Sequence, residues 1–172
     1  MNILEIKDLE KLAQKKVPKM FFDYVNSGSW TETTYNENVS DFQKIKLRQR
    51  VAIDMSNRTL ETKMIGQKVA MPMAIAPTGL TGMQRADGEI LAAQAAEEFG
   101  IPYTLSTMSV CSIEAVAEKT KNPFWFQLYV MKDKKFMERL IDRAKAAKCS
   151  ALVLTLDLQL LGQRHKDIRN GL

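Results

Sequence analysis

Cysteine is scarce in this chain of 172 residues: Cys111 and Cys149 stand far apart, with neither a CxxC pair nor the spacing of a metal site. Two isolated thiols of this kind are expected to be reduced and structural, as in a cytosolic protein. Histidine is scarcer still, since His165 is the only one. No apolar run is long enough to span a bilayer. The opening Met1-Asn-Ile-Leu-Glu-Ile-Lys-Asp8 is too polar for a signal peptide. The net charge is +5, with Lys and Arg scattered along the chain rather than clustered. Scattered charge reads as a solvated surface, not a nucleic-acid face, although a mild basic excess would suit an anionic small substrate. There is no GxGxxG and no GxxxxGK[ST], the glycine signatures of open nucleotide-binding sheets. Low-complexity segments are absent too.

What the chain does have is a lead-in followed by a strand–helix alternation. Over residues 1–69, Asp8 is placed to cap a helix through Lys16, with Ile6, Leu9, Leu12 and Ala13 on one face. Pro18 fits the first turn of a second helix, from Lys19 to Asn26, which Gly28 stops. Ser29-x-x-Glu32 has the capping-box form and predicts a third helix toward Phe42. Glu61 to Val69, with Gly66-Gln67 inside it, reads as a small hairpin that plugs one end of the strand–helix region.

Residues 70–172 form the second region. Four apolar runs, each ending in polar residues, are expected as strands: Met71–Ala76, Tyr103–Leu105, Phe124–Leu128 and Ala151–Leu156. Between them, Asp87, Ser112 and Asp133 are candidate N-caps for helices running to Phe99, Lys119 and Ala147. Gly100 is a natural stop for the first of these. Runs apolar throughout suit strands buried on both faces of a parallel sheet with helical crossovers. The alternatives are an open doubly wound sheet and a (β/α)8 barrel. Polar residues at every strand's C-terminal end, and the missing phosphate-loop signatures, favour the barrel. A full barrel takes roughly 250 residues and eight units. The expectation is therefore an α/β chain holding the N-terminal half of a TIM barrel, about four βα units, behind a helical lead-in.

The strand ends carry a resemblance. Asp23-Tyr24 with Ser27-Gly28, Met71-Pro72 with Ala76-Pro77-Thr78-Gly79, Leu105-Ser106-Thr107, Phe126-Gln127-Leu128-Tyr129, and Leu154-Thr155-Leu156-Asp157 with Gly162-x-Arg164 stand here in order. Together they resemble the FMN-dependent 2-hydroxy acid oxidase and dehydrogenase family, over nearly all of the chain. The segment Gly100 to Glu114 looks most like the bacterial L-lactate dehydrogenase branch.

That resemblance implies an enzyme that oxidises an L-2-hydroxy acid, foremost L-lactate, to the keto acid while passing two electrons to FMN. It implies that the Pro77-Thr78-Gly79 backbone lies against the flavin ring and that Ser106, Gln127 and Thr155 hydrogen-bond the flavin and its ribityl chain. Tyr24, Tyr129 and Arg164 match substrate positions, with Arg164 as a bidentate clamp on the substrate carboxylate and Tyr129 on the hydroxyl. Asp157 matches the carboxylate that orients the catalytic histidine. It is also expected to be costly where it stands, closing a buried apolar strand. The family's histidine base, a second carboxylate-binding Arg, a Lys near the flavin and the phosphate site are implied to lie beyond residue 172, and His165 does not match the base. Met108 matches a substrate side-chain pocket position, whose bland reading is a Met packed under a loop. Leu158-Gln159 departs from the family's Thr-Pro and puts the course of that loop in question.

By the same resemblance the partners are a small 2-hydroxy acid, a quinone or cytochrome as electron acceptor, and other copies of the full-length chain. No nucleic acid and no metal are expected. The location is cytoplasmic, with peripheral attachment to the inner membrane as a variant. Two competing readings stand beside this one. The first is a non-catalytic half-barrel fragment, whose open strand edges would need a partner. The second is another FMN or phosphate-binding barrel of the isopentenyl diphosphate isomerase type, against which Tyr24, Tyr129 and Arg164 argue.

Overall fold

In the computed structural model, which describes residues 2–172, the element order begins with helices α1 (Ile6–Lys16), α2 (Lys19–Val25) and α3 (Thr33–Ser40), the last running into a 3-10 turn at Asp41–Lys44. A hairpin follows, β1 (Thr62–Met64) and β2 (Gln67–Val69), then α4 (Thr81–Gln84), α5 (Gly88–Phe99), β3 (Thr104–Leu105) and α6 (Ile113–Lys119). The chain continues through β4 (Trp125–Tyr129), α7 (Lys134–Ala146), β5 (Ala151–Thr155) and α8 (His165–Asn170). It divides into two compact units. One comprises the segment up to Asn57 with Leu160–Leu172, the other Arg58–Gln159.

The first unit is helical. α1 starts one turn earlier than expected: Glu5 is the N-cap, and Asp8 is the third residue of a capping box, accepting from the Leu4 N–H at 3.1 Å and the Glu5 N–H at 3.4 Å. Its apolar face is only partly covered, with Leu12 and Ala13 half-buried and Ile6 and Leu9 exposed. α3 opens later than the Ser29–Glu32 pattern implies. Glu32 itself is the N-cap, in the left-handed region at φ 60°, and its carboxylate reaches back to the Gly28 N–H at 3.1 Å. A carboxylate spent on the preceding turn cannot close a box with Ser29, so the first helical residue moves to Thr33. α8 returns to α2: the Asn170 side-chain amide donates to Asp23 at 2.8 Å, and Lys166 to the Asn26 carbonyl at 3.1 Å.

The second unit is a parallel sheet with helical crossovers, in the order β3-β4-β5. β4 pairs with β5 along its whole length, from Trp125 opposite Ala151 to Tyr129 opposite Thr155. The core is Leu105, Phe126 and Leu128 against Ala93, Ala96, Ile113, Val116, Leu140 and Ala144 of the three longer helices. Ser112 and Asp133 cap α6 and α7 as expected, accepting from the Ala115 and Phe136 N–H groups. Asp87 does not: it sits at φ 58° and its side chain accepts no capping bond. Gly100 ends α5 at φ 81°, the left-handed geometry a C-terminal stop uses. The hairpin turn at Ile65-Gly66 has positive φ at both residues, which matches the twist of the flanking strands. The hairpin lies at the N-terminal end of the sheet, where Ala70 donates to the Gly100 carbonyl and Trp125 to Gln67.

Two strand expectations change. Met71–Ala76 forms no full strand, only a parallel bridge between Ile75 and Tyr103, because Pro72 and Pro77 lack the N–H donors a ladder needs. β5 is not buried on both faces; Leu152 and Leu154 are about half exposed, since β5 lies at an edge of the sheet. Four parallel segments are thus present, and a closed ring is not formed among the described residues.

Candidate functional site

The C-terminal ends of the four parallel segments are joined by a continuous hydrogen-bonded rim. Gln127, in β4, lies at its centre and is 1% exposed. Its side-chain oxygen accepts from Ser106 Oγ at 3.3 Å and from the Thr107 N–H at 3.1 Å. Its amide nitrogen donates to Thr155 Oγ1 at 2.7 Å. These bonds fix which end of the amide is oxygen, because the Thr107 backbone offers only a donor there. Thr107 Oγ1 donates to the Gln127 carbonyl at 2.5 Å and accepts from the Tyr129 N–H at 3.3 Å. Ser106, 3% exposed, also accepts from the Met108 N–H at 3.1 Å. Strand pairing explains the juxtaposition: in-register parallel neighbours bring their last polar residues to one edge.

The first segment joins this rim through its turn. The Leu80 N–H donates to the Met108 carbonyl at 2.9 Å, tying the Pro77–Gly82 turn to the loop after β3. Thr78 Oγ1 folds back toward the Ala76 carbonyl at 3.5 Å, and the Thr78 carbonyl accepts from Thr81 Oγ1 at 3.1 Å. The N–H groups of Thr78 and Gly79 have no protein partner among the described residues, and Pro77 and Thr78 are exposed. Leu80 sits in the left-handed region at φ 55°, a costly conformation for a branched residue, of the kind that collects at functional sites.

Glu89 is the residue in this unit that sequence reasoning passed over. It is fully buried at the start of α5, and its Oε1 accepts from the Gly82 N–H at 3.0 Å and the Val110 N–H at 2.9 Å. Burial opposes its ionisation, but those two amides, with the Cys111 thiol beside them, outweigh it and hold the carboxyl below its ordinary range. Around it, burial and the Glu89 charge push Tyr103 and Cys111 upward, so both stay protonated. A glutamate in the first turn of an alanine-rich helix reads as a surface residue favoured by the helix dipole. Only its spacing after Gly82 and Gly88 hinted otherwise.

Tyr129 closes β4, half-buried, opposite Thr155. Asp157 differs from expectation. It lies two residues past the end of β5, exposed, with no protein partner among the described residues, and Leu156 before it is exposed too. Met108 is half exposed rather than packed under a loop.

In the helical unit, Arg164 is the N-cap of α8. Its Nε donates to Asp167, and its Nη2 to the Tyr24 carbonyl and to Ser27 Oγ at 3.3 Å. Nη1 donates to the Ser27 carbonyl at 3.1 Å, and the guanidinium lies 5.1 Å over the Tyr24 ring. Arginine has five N–H donors, and four are engaged here. The bidentate clamp expected of Arg164 is therefore not free in this arrangement; one Nη1–H remains. The physical reason is the carbonyls left without helix partners at the end of α2, which a cation satisfies. Asp167, 8% exposed, anchors the other side of the guanidinium and was not singled out from the sequence. His165 packs edge-on against Trp30, with ring centroids 5.7 Å apart.

These donors fit a flavin by their chemistry. The rim is neutral, as the polar edge of an isoalloxazine and a ribityl chain requires, and the unpartnered backbone N–H groups beside it offer donors that a bulkier turn would bury. No group of His, Cys, Asp and Glu that could hold a metal ion occurs among the described residues.

Comparison with known proteins places the chain. The model of the FMN-dependent dehydrogenase family matches residues 13–172. An L-lactate dehydrogenase of Acinetobacter baumannii is 48% identical over 165 residues, covering 96% of this chain and 43% of that protein. An L-lactate dehydrogenase of Acinetobacter baylyi is 46% identical over the whole chain, which covers 45% of its length. Among solved structures, a soluble mutant of the membrane-associated (S)-mandelate dehydrogenase from Pseudomonas putida superimposes with a TM-score of 0.93 at 36% identity. The match covers 99% of this chain and 49% of that one. The chain thus spans less than half the length of the curated relatives it matches. By the match along nearly all of its residues, this chain belongs to the FMN-dependent dehydrogenase family.

Proposed function

We propose that this chain supplies the flavin-facing strand ends of an FMN-dependent 2-hydroxy acid dehydrogenase, with L-lactate as the substrate and pyruvate as the product. The observation that carries the reading is the neutral rim Ser106–Gln127–Thr155 beside the unpartnered Thr78 and Gly79 N–H groups. Lactate is preferred to other hydroxy acids because the curated relatives at 46–48% identity are L-lactate dehydrogenases, while the mandelate enzymes stand at 34–36%.

When bound, FMN accepts the two electrons released as the hydroxy acid becomes a keto acid. The chain's own residues do the holding. Gln127 presents an amide already oriented by Ser106 and Thr155, so little rotamer freedom is lost on binding. With FMN bound, the Gly79 N–H would offer a hydrogen-bond donor to the ring. In this reading Tyr129 hydrogen-bonds the substrate hydroxyl. Arg164 and Tyr24 of the helical unit serve the substrate carboxylate in this reading. Asp157, exposed in this structure, takes up its role only when paired with the imidazole of the histidine base, which stabilises the imidazolium formed as the proton is removed. The electron acceptor in this reading is a quinone or a cytochrome, and the complete protein assembles with copies of itself. Among the described residues no helix is long and apolar enough to cross a membrane.

The test is anaerobic mixing of FMN-reconstituted protein with L-lactate, with the flavin's visible absorbance monitored for bleaching. Bleaching that requires L-lactate, or that appears on adding the family's C-terminal half as a separate chain, supports the reading. Absence of FMN binding under both conditions refutes it. That result would favour the non-catalytic half-barrel reading.

A further inference from the structure

Glu89 presents an energetic puzzle. An ionised carboxylate with no solvent exposure is costly, and one of its oxygens, Oε2, has no N–H or O–H donor among the described residues. The arrangement persists in a core where Ala93, Ala96, Ile113 and Val116 could have been joined by one more apolar side chain. Burying an ion is not a route to stability that an apolar residue of similar volume would fail to match. What an apolar residue could not do is accept two backbone hydrogen bonds from two different loops.

Those two loops are the ones that carry the candidate site. The Gly82 N–H belongs to the turn that begins at Pro77, and the Val110 N–H to the loop that begins at Ser106. Glu89 Oε1 receives both, and among the described residues the loops are bonded to each other directly only through Leu80 and Met108. The turn so held contains Leu80 in the left-handed region, immediately after Gly79. A backbone in that region relaxes unless its surroundings over-determine it. Space confirms how close the clamp is: a Cβ added to Gly82 would stand 2.7 Å from Val110 Cβ and 3.0 Å from Glu89 Oε2. One added to Gly88 would stand 2.7 Å from the Thr81 carbonyl. Glycine at both positions lets the turn sit down on the carboxylate.

We infer that Glu89 is a positioning residue for the flavin: its buried carboxylate clamps the Pro77–Gly82 turn to the Ser106–Cys111 loop, and so holds the Thr78 and Gly79 N–H groups at the rim. It touches neither flavin nor substrate and acts through the two loops. The inference rests on the functional reading above, since it assigns those N–H groups to FMN.

The test compares Glu89→Ala with Glu89→Gln in the purified protein. Both bonds fall on the same oxygen, so glutamine can keep Oε1 as the acceptor and place its NH2 where Oε2 stands, whereas alanine removes the acceptor. Amide hydrogen exchange at Gly82 and Val110 reads the clamp without any flavin. Exchange is expected to rise in Ala and stay near wild type in Gln. FMN affinity is expected to fall about tenfold in Ala, the size of losing one charge-assisted hydrogen bond, and to stay within about threefold in Gln. If reduced FMN loses a further tenfold over oxidised FMN, the two-electron potential falls by about 30 mV. Should Ala fail to fold, Gly82→Ala pries the turn from the carboxylate by its own Cβ and is expected to reproduce the loss of FMN affinity. Faster exchange with unchanged FMN affinity and potential overturns the inference while leaving the functional reading intact. A wild-type protein that binds no FMN, either alone or with the family's C-terminal half added, refutes both.

Discussion

Gln127 is the position where a single change should be felt most across the strand ends. Replacing it by alanine removes three side-chain hydrogen bonds, to Ser106 Oγ, the Thr107 N–H and Thr155 Oγ1. Each such bond contributes about 1 kcal/mol net. The Ser106 bond is long at 3.3 Å, and Thr107 and Thr155 are half-buried, so water can take over part of what is lost. Against that, the side chain is 1% exposed, and truncating it leaves a gap that the surrounding sheet fills only partly. The sum is about 3 kcal/mol, a factor on the order of 150 in the folding equilibrium. With a urea slope of about 2 kcal/mol per M, the midpoint should fall by about 1.5 M. Gln127→Leu, of similar volume, separates the two contributions: it restores packing but not hydrogen bonding, and should recover about 1 kcal/mol. The assay is equilibrium urea unfolding followed by Trp fluorescence, with FMN titration alongside. A midpoint shift below about 0.5 M for Gln127→Ala would refute the claim that this amide ties the strand ends together.

The same geometry sets other expected outcomes. Ser112→Ala and Asp133→Ala should each cost about 1 kcal/mol by thermal or urea unfolding, because both side chains accept a capping bond. Asp87→Ala should cost far less, since Asp87 makes no such bond, and Asp87→Gly should stabilise by relieving its positive φ. The Arg143 guanidinium, donating twice to Glu114 at 2.7 Å, lowers that carboxyl to about 2. The folded value lies below the unfolded one, so this stability is complete above about pH 4.5 and is lost as pH falls toward 2. In Glu114→Gln the slope of stability against pH should flatten over that window, by an amount salt reduces because the pair is exposed. Burial raises the Cys149 thiol to about 11, so its thiolate at pH 8 is about a hundredfold scarcer than for a thiol at 9.0. It should react with a disulfide reagent correspondingly slowly in the native protein and at an ordinary rate in urea.

The helices of the parallel region were legible because their signals are local. Ser112 and Asp133 stand immediately before amphipathic runs, and Gly100 immediately after one, so capping chemistry alone placed those ends. The polar residues Ser106, Gln127 and Thr155 were also legible, as interruptions of apolar runs, and the family followed from their order along the chain. The sequence by itself therefore determined the alternation of strand and helix and the residue types at the strand ends. Tertiary structure decided the rest, because it depends on partners distant in sequence. Asp87 has a capping residue's chemistry, but a tight turn onto Gly88 put its backbone in the left-handed region and its side chain elsewhere. Met71–Ala76 has a strand's composition, but prolines at both ends left it one bridge. Arg164 has a clamp's chemistry, but the Ser27 and Tyr24 carbonyls, 137 and 140 positions away, together with Ser27 Oγ and Asp167, claimed four of its five donors. Glu89 looks like a solvated helix residue until folding brings Gly82 and Val110 to the same oxygen, and burial then turns an ordinary carboxylate into the tie between two loops.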